Sequence, residues 1–143
     1  MTNKAEIRRH PETGAELARG VRPVRLAFKS QSMVVDMPGW YSKDDASGES
    51  GLFDKKDMLV SDRAINLMKA KELGLLLPEQ IKKVRLALGL SQREAGRLIG
   101  GGPNAFQKYE SGDVLLSKSA DTALRLLAVD PRRLQEIRDC DAA

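Results

Sequence analysis

The chain is poor in the groups that most often carry catalysis and metal binding, with one cysteine, Cys140, and one histidine, His10, in 143 residues. A lone thiol cannot form an intrachain disulfide or an all-cysteine zinc site, and Cys140 lies near a polar C-terminus as an incidental thiol. One histidine is too little for a serine or cysteine triad of the usual kind. Paired catalytic carboxylates, a phosphate loop and a nucleophile elbow are also missing, so the sequence reads as that of a protein that is not an enzyme. No apolar run approaches the roughly 20 residues that span a bilayer, which argues against membrane insertion. Lys4, Arg8 and Arg9 are not followed by the apolar stretch of a signal peptide, and the expected location is the cytoplasm. No repeat is visible. The length fits one ordinary domain, or two small lobes joined by a helix.

What is present is the composition of a soluble globular protein, 41% apolar and 31% charged. The net charge of +4 is modest, but it is unevenly spread. From Ile81 to Lys108, six basic residues (Lys82, Lys83, Arg85, Arg93, Arg97 and Lys108) oppose only Glu94, whereas from Tyr109 onward seven acidic residues oppose five basic ones. A positive field of this kind suits a polyanionic partner. A solvated helix face would carry the same charges, so charge alone leaves both readings open.

Along the chain, Val21 to Phe28 alternates with Val24, Leu26 and Phe28 on one side, the period of a half-buried strand. A second strand is expected over Ser32 to Met37, with a turn at Lys29-Ser30-Gln31 and a stop at Pro38-Gly39. Ser42 to Gly51 reads as a loop. From Asp54 to Leu73 the spacing becomes helical, with Asp54 as a cap and Gly74 as a stop. The expected fold class is mainly α with a small β lobe, an α+β protein. A two- or three-stranded sheet and a linking helix would occupy residues 1–73, and a five-helix helix-turn-helix domain residues 74–143.

The helix-turn-helix is read from residue 78 onward. Pro78 suits a first helical turn; Ile81, Val84 and Leu88 form an apolar stripe that leaves Lys82, Lys83 and Arg85 outward, and Gly89 ends the helix. Ser91 with Glu94 is a capping box opening a second helix, with Ala95, Leu98 and Ile99 inward. Gly100, Gly101 and Gly102 allow a sharp turn. In the helix that follows, Asn104, Gln107, Lys108 and Ser111 fall on one side, and Ala105, Phe106 and Tyr109 on the other. Asn and Gln amides pair with adenine and a Lys ammonium donates to guanine, so Asn104, Gln107 and Lys108 are the candidate base readers. Lys82, Ser91, Gln92, Arg93, Arg97 and Lys118 are the candidate phosphate contacts. A fourth helix is expected from Leu115 to Ala128, and a fifth after Asp130-Pro131. Domains of this kind read one half of a palindromic operator in double-stranded DNA and act as two-fold dimers. Leu134 and Ile137 are the candidate homodimer surface, with an intramolecular core role as the alternative.

The runs Ile81-Lys-Lys-Val-Arg, Leu90-Ser-Gln-Arg-Glu-Ala and Gly100-Gly-Gly-Pro-Asn-Ala-Phe-Gln-Lys-Tyr-Glu-Ser-Gly112 resemble the DNA-binding domain of the MqsA-type antitoxins. The resemblance covers roughly Leu75 to Arg138. It implies that Asn104 and Lys108 are the principal base readers, although the family usually has arginine where Lys108 stands, and lysine lacks the planar guanidinium fork. It also implies an antitoxin that binds a ribonuclease toxin through the N-terminal lobe, around Val21 to Met37 and Trp40, and represses its own operon. Members often carry two CxxC pairs in a zinc lobe. Here the corresponding stretches are His10-Pro-Glu-Thr13-Gly and Asp44-Asp-Ala-Ser47-Gly-Glu, without thiols, and no structural zinc or other cofactor is expected. Strand pairing with a partner chain, or packing on the linking helix, would have to stabilise the lobe instead. A stand-alone transcriptional regulator whose N-terminal lobe binds a ligand or another protein is the alternative reading.

Overall fold

A computed structural model describes residues 6–45 and 50–142. Three strands come first, β1 (Ile7–Arg9), β2 (Glu16–Phe28) and β3 (Gln31–Ser42). The helices follow: α1 (Lys55–Leu73), α2 (Pro78–Ala87), α3 (Gln92–Ile99), α4 (Ala105–Ser111), α5 (Lys118–Val129), a 3-10 turn at Pro131–Arg133, and α6 (Leu134–Ala142). The α+β class expected from the sequence is the one observed. By contacts the chain divides into two compact units, Met1–Ile65 and Asn66–Ala143, so the second half of α1 belongs with the helices after it.

In the first unit the strands form an antiparallel sheet of order β1-β2-β3. The β2–β3 hairpin is longer than the alternation suggests, pairing from Leu17 with Ser42 to Phe28 with Gln31. Its turn is the two residues Lys29 and Ser30, with Lys29 at φ +51, in the positive-φ region that a two-residue hairpin loop demands. Pro38-Gly39 does not stop β3. Pro38 pairs with Val21 and Pro23 with Asp36, where each strand has one neighbour only: β3 is the outer strand of the sheet, and β1 pairs β2 no further than Ala18. On a one-sided ribbon a proline whose nitrogen faces outward removes no ladder bond. Gly39 makes room for a ring: a Cβ there would lie 2.8 Å from Phe53.

Leu17, Met37, Trp40 and Tyr41 are the buried hydrophobic side chains of the sheet. The Tyr41 hydroxyl donates to the Met37 carbonyl at 2.7 Å, and its ring meets Phe53 edge-on at 6.0 Å. Trp40 exchanges two backbone hydrogen bonds with Leu52 and donates from Nε1 to Asp54 at 3.2 Å. The guanidinium groups of Arg8 and Arg19 lie 5.8 and 5.3 Å from its ring centroid, within cation–π range. Arg19 also donates two 2.8 Å hydrogen bonds to Asp57 in the first turn of α1. That guanidinium, helped by the Asp54 N–H, holds the buried Asp57 carboxyl below the ordinary carboxylate range against the opposing effect of burial. The lobe is thus fastened to the start of α1 by a charged and aromatic network.

The donors described at His10 and Thr13 do not suit zinc. The His10 Nδ1 accepts the N–H groups of Glu12 and Thr13 at 3.1 and 3.3 Å, and the Thr13 hydroxyl accepts from the Ala15 N–H at 3.3 Å. Neutral hydroxyls are weak partners for a metal that prefers thiolate and imidazole. Ser47 lies outside the described residues.

The second unit has one core. Ile81, Leu90, Ala95, Phe106, Tyr109, Leu116, Ala120, Leu124, Leu127 and Leu134 are buried together, with Val84, Leu88, Leu98, Ile99, Ala105 and Ile137 packed around them. Apart from Leu90 and Leu116, which lie between helices, these are positions the helical spacing selects, with one exception among the charges. Arg85, expected outward with Lys82 and Lys83, is 7% exposed. Four residues after Ile81 and three before Leu88, it lies on the apolar stripe itself, and its burial is made possible by Glu110. Arg85 donates two 2.8 Å hydrogen bonds to that carboxylate and a third, at 2.9 Å, to the Leu90 carbonyl. The exposed positive field between Ile81 and Lys108 therefore comes from five basic residues, not six.

Candidate nucleic-acid interface

The second and third of five short helices form the motif, and each boundary has a local cause. α2 begins at Pro78, with the Leu77 N–H donating to the Gln80 side chain at 2.9 Å, and ends before Gly89 at φ +71. The α3 start is a reciprocal cap. The Ser91 Oγ accepts the Glu94 N–H at 3.1 Å, and the Glu94 carboxylate accepts the Ser91 N–H at 3.3 Å. Gly100, Gly101 and Gly102 all have positive φ, at 126°, 94° and 90°. They fold the chain back against α3 so closely that a Cβ on Gly96 would lie 1.8 Å from the Gly102 oxygen. Gly96 is as necessary to this turn as the triplet itself.

α4 is seven residues long, too short to persist alone, so its direction is set by what it is clamped to. Phe106 and Tyr109 anchor one face, 0% and 8% exposed, with their rings edge-on at 5.5 Å. Glu110 fixes it to α2 through Arg85. At its end Gly112 takes φ +84, the Asp113 N–H donates to the Lys108 carbonyl at 3.0 Å, and the Gly112 N–H donates to Tyr109 at 3.3 Å. This pairing is a Schellman-type stop.

On the opposite face Asn104, Gln107 and Lys108 are all exposed. Asn104 occupies the N-cap position, yet its side chain makes no capping bond. Asn104 and Lys108 line one cleft of about 390 Å³, with Val114 and Tyr109 among its other walls. Gln107 is on the same helix outside that cleft. The arrangement offers amide and ammonium groups, with apolar Val114 beside them, along one side of a rigidly backed helix. Those are the donor and acceptor types that distinguish base pairs in a major groove.

Of the phosphate candidates, Lys82 on α2, Arg93 and Arg97 on α3, and Lys118 at the start of α5 are exposed, and Gln92 is half-buried. Ser91 is exposed, but its hydroxyl and N–H are both engaged by Glu94, leaving the Gln92 and Arg93 N–H groups outside the capping box. Leu134, at 8% exposure, belongs to the core. Ile137 is half-buried and lines a shallow apolar depression with Ala123, Leu126 and Leu127. Leu126 and Val129 nearby on α5 are 58% and 86% exposed. Arg85, Gly96 and Glu110 shape the motif and escaped the sequence reading. The i+4 spacing from Ile81 to Arg85 and from Phe106 to Glu110 places each on the inward side of its helix without naming the other as its partner.

The family model described as the antitoxin component of a bacterial toxin-antitoxin system, MqsA, matches residues 8–138. Antitoxin MqsA of Escherichia coli (strain K12) is 32% identical over 127 residues, covering 86% of this chain and 93% of its own length. The match therefore includes the N-terminal lobe, where the thiols are absent, as well as the helical unit. The chain belongs to the MqsA antitoxin family of bacterial toxin-antitoxin systems.

Proposed function

We propose that this antitoxin is a sequence-specific DNA-binding repressor of its own operon, acting as a cytoplasmic homodimer on a palindromic operator. The reading is carried by one observation: Asn104, Gln107 and Lys108 are exposed on a short helix whose other face is locked in the core by Phe106 and Tyr109. Asn104 and Lys108 contact base edges, and Gln107 a neighbouring edge. Lys82, Arg93, Arg97 and Lys118 neutralise phosphates, and the Gln92 side chain and the free N–H groups after Ser91 add neutral contacts. The dimer surface comprises Ile137, backed from beneath by Leu134, with the exposed Leu126 and Val129. The reading domain begins in the linking helix and ends with α6.

The toxin partner binds the N-terminal unit, and the protein itself catalyses nothing. Trp40 is 9% exposed with the guanidinium groups of Arg8 and Arg19 over its ring, so the surface left for a partner is the outer hairpin, where Val21 and Val34 are 55% and 63% exposed. The deciding experiment measures affinity for the DNA upstream of its own gene and for a scrambled duplex across a salt series. Log affinity should fall linearly with log salt for both, with the promoter bound more tightly throughout. Equal affinity for the two duplexes would refute the repressor. Co-purification with the product of the adjacent reading frame tests the toxin.

A further inference from the structure

A seven-residue helix, about 10 Å long, that reads bases must be held at both ends. At the N-terminal end of α4 the glycine turn rests on Gly96. The C-terminal end is held from α1. The Asn66 side chain donates from Nδ2 to the Gly112 carbonyl at 2.9 Å and to the Asp113 carbonyl at 3.3 Å. The Gly112–Asp113 peptide is thereby fixed on both sides, because the Asp113 N–H donates to the Lys108 carbonyl at 3.0 Å and the Val114 N–H to the same oxygen at 3.3 Å. Asn66 is the first residue of the second compact unit.

The end of α1 is itself fastened to that unit. The carboxylate of Asp121, 2% exposed, accepts the Leu76 N–H at 2.9 Å and the Arg125 Nε at 3.0 Å. Arg125 donates in turn to the Gly74 carbonyl at 2.8 Å. The segment from Asn66 to Leu76 is thus tied to α5 at one end and to the close of α4 at the other.

We propose that Asn66 is a positioning residue for sequence readout, its amide fixing the C-terminal end of the reading helix and with it the placement of Gln107 and Lys108. The inference rests on the DNA-reading function proposed above. Base-edge hydrogen bonds weaken steeply with distance and angle. Phosphate contacts made by long flexible side chains such as Arg93 and Lys82 tolerate a small tilt. Loss of the Asn66 amide therefore falls on discrimination rather than on general affinity.

The test uses the full-length protein with Asn66→Ala and the near-isosteric Asn66→Asp, which keeps the volume but presents no donor to the two carbonyls. Affinities for the operator and for a scrambled duplex are measured beside the melting temperature. The expected result is a loss of about five-fold in the operator-to-scrambled ratio for both variants, the size of one net hydrogen bond, with scrambled-duplex affinity unchanged in Asn66→Ala; the added carboxylate of Asn66→Asp weakens both duplexes alike and cancels in the ratio. A wild-type ratio in Asn66→Asp, or a lowered melting temperature with the ratio intact in either variant, would overturn the proposal and leave Asn66 a packing residue. If the wild-type protein does not prefer its operator, the DNA-reading function fails first and takes this inference with it.

Discussion

Removing Glu110 should do more damage than its position at the end of a short helix suggests. The side chains of Arg85 and Glu110 are 9% and 6% exposed and joined by two 2.8 Å hydrogen bonds. In Glu110→Ala the guanidinium would keep one neutral acceptor, the Leu90 carbonyl, in a site closed to water. Breaking a buried pair from one side costs about 3–5 kcal/mol, because an uncompensated charge stays behind. That is a large share of the roughly 5–15 kcal/mol that holds a domain together. The double variant Arg85→Met with Glu110→Leu leaves no charge. Its cost should be about 1–2 kcal/mol, chiefly from the Leu90 carbonyl losing its donor. Urea unfolding followed by helical circular dichroism measures both variants, and the fluorescence of Trp40, the chain's one tryptophan, follows the first unit separately. A single variant within about 1 kcal/mol of wild type, or a double variant as unstable as the single one, would refute the reasoning.

Four further outcomes follow from the geometry. Asn104→Ala should cost about 1–3 kcal/mol in operator discrimination and leave nonspecific binding nearly intact, whereas Arg93→Ala should weaken binding to every sequence alike; equal losses in both would contradict the assigned roles. Gly96→Ala places a Cβ 1.8 Å from the Gly102 oxygen, and thermal melts should show about 1–3 kcal/mol of destabilisation or more, with a wild-type melting curve as the contrary result. The Asp57 carboxyl is held below its ordinary range by Arg19, so its contribution is complete above the unfolded value of about 4 and is lost as pH falls from there toward the folded value. In Asp57→Asn the acid limb of the Trp40 fluorescence melts should flatten, and an unchanged limb would show that another group governs it. A strong zinc chelator should leave those melts of the first unit unmoved, and a chelator-induced loss of stability would reveal a metal that His10 and Thr13 do not explain.

The helical half of the molecule was legible because its signals are local. Pro78, Gly89, the Ser91–Glu94 box and the glycine triplet each fix the backbone within a few residues, and the apolar stripes of α2 to α6 mark the side that must leave water. The hairpin was legible in kind but not in extent. Whether a proline stops a strand depends on whether a neighbour needs its N–H, and at Pro38 that is settled by the place of β3 as the outer strand of the sheet. Leu134 and Ile137 show the same limit, since an apolar side chain on a short terminal helix satisfies a core and an interface equally well until the packing is known.

By itself the sequence determined the class of fold, the hairpin, the succession of helices and the turn before α4, because periodicity, capping and φ preference act over a handful of neighbouring residues, while the family was legible in the resemblance of whole motifs. Only the tertiary structure decided that Arg85 faces inward to Glu110, that Arg19 and Asp57 fasten the sheet to α1, that Gly96 admits the glycine turn, and that Asn66 grips the end of α4. Each of those depends on two groups 6 to 46 residues apart meeting within a few ångströms. A charge or an amide carries no local mark of the partner that makes its burial affordable.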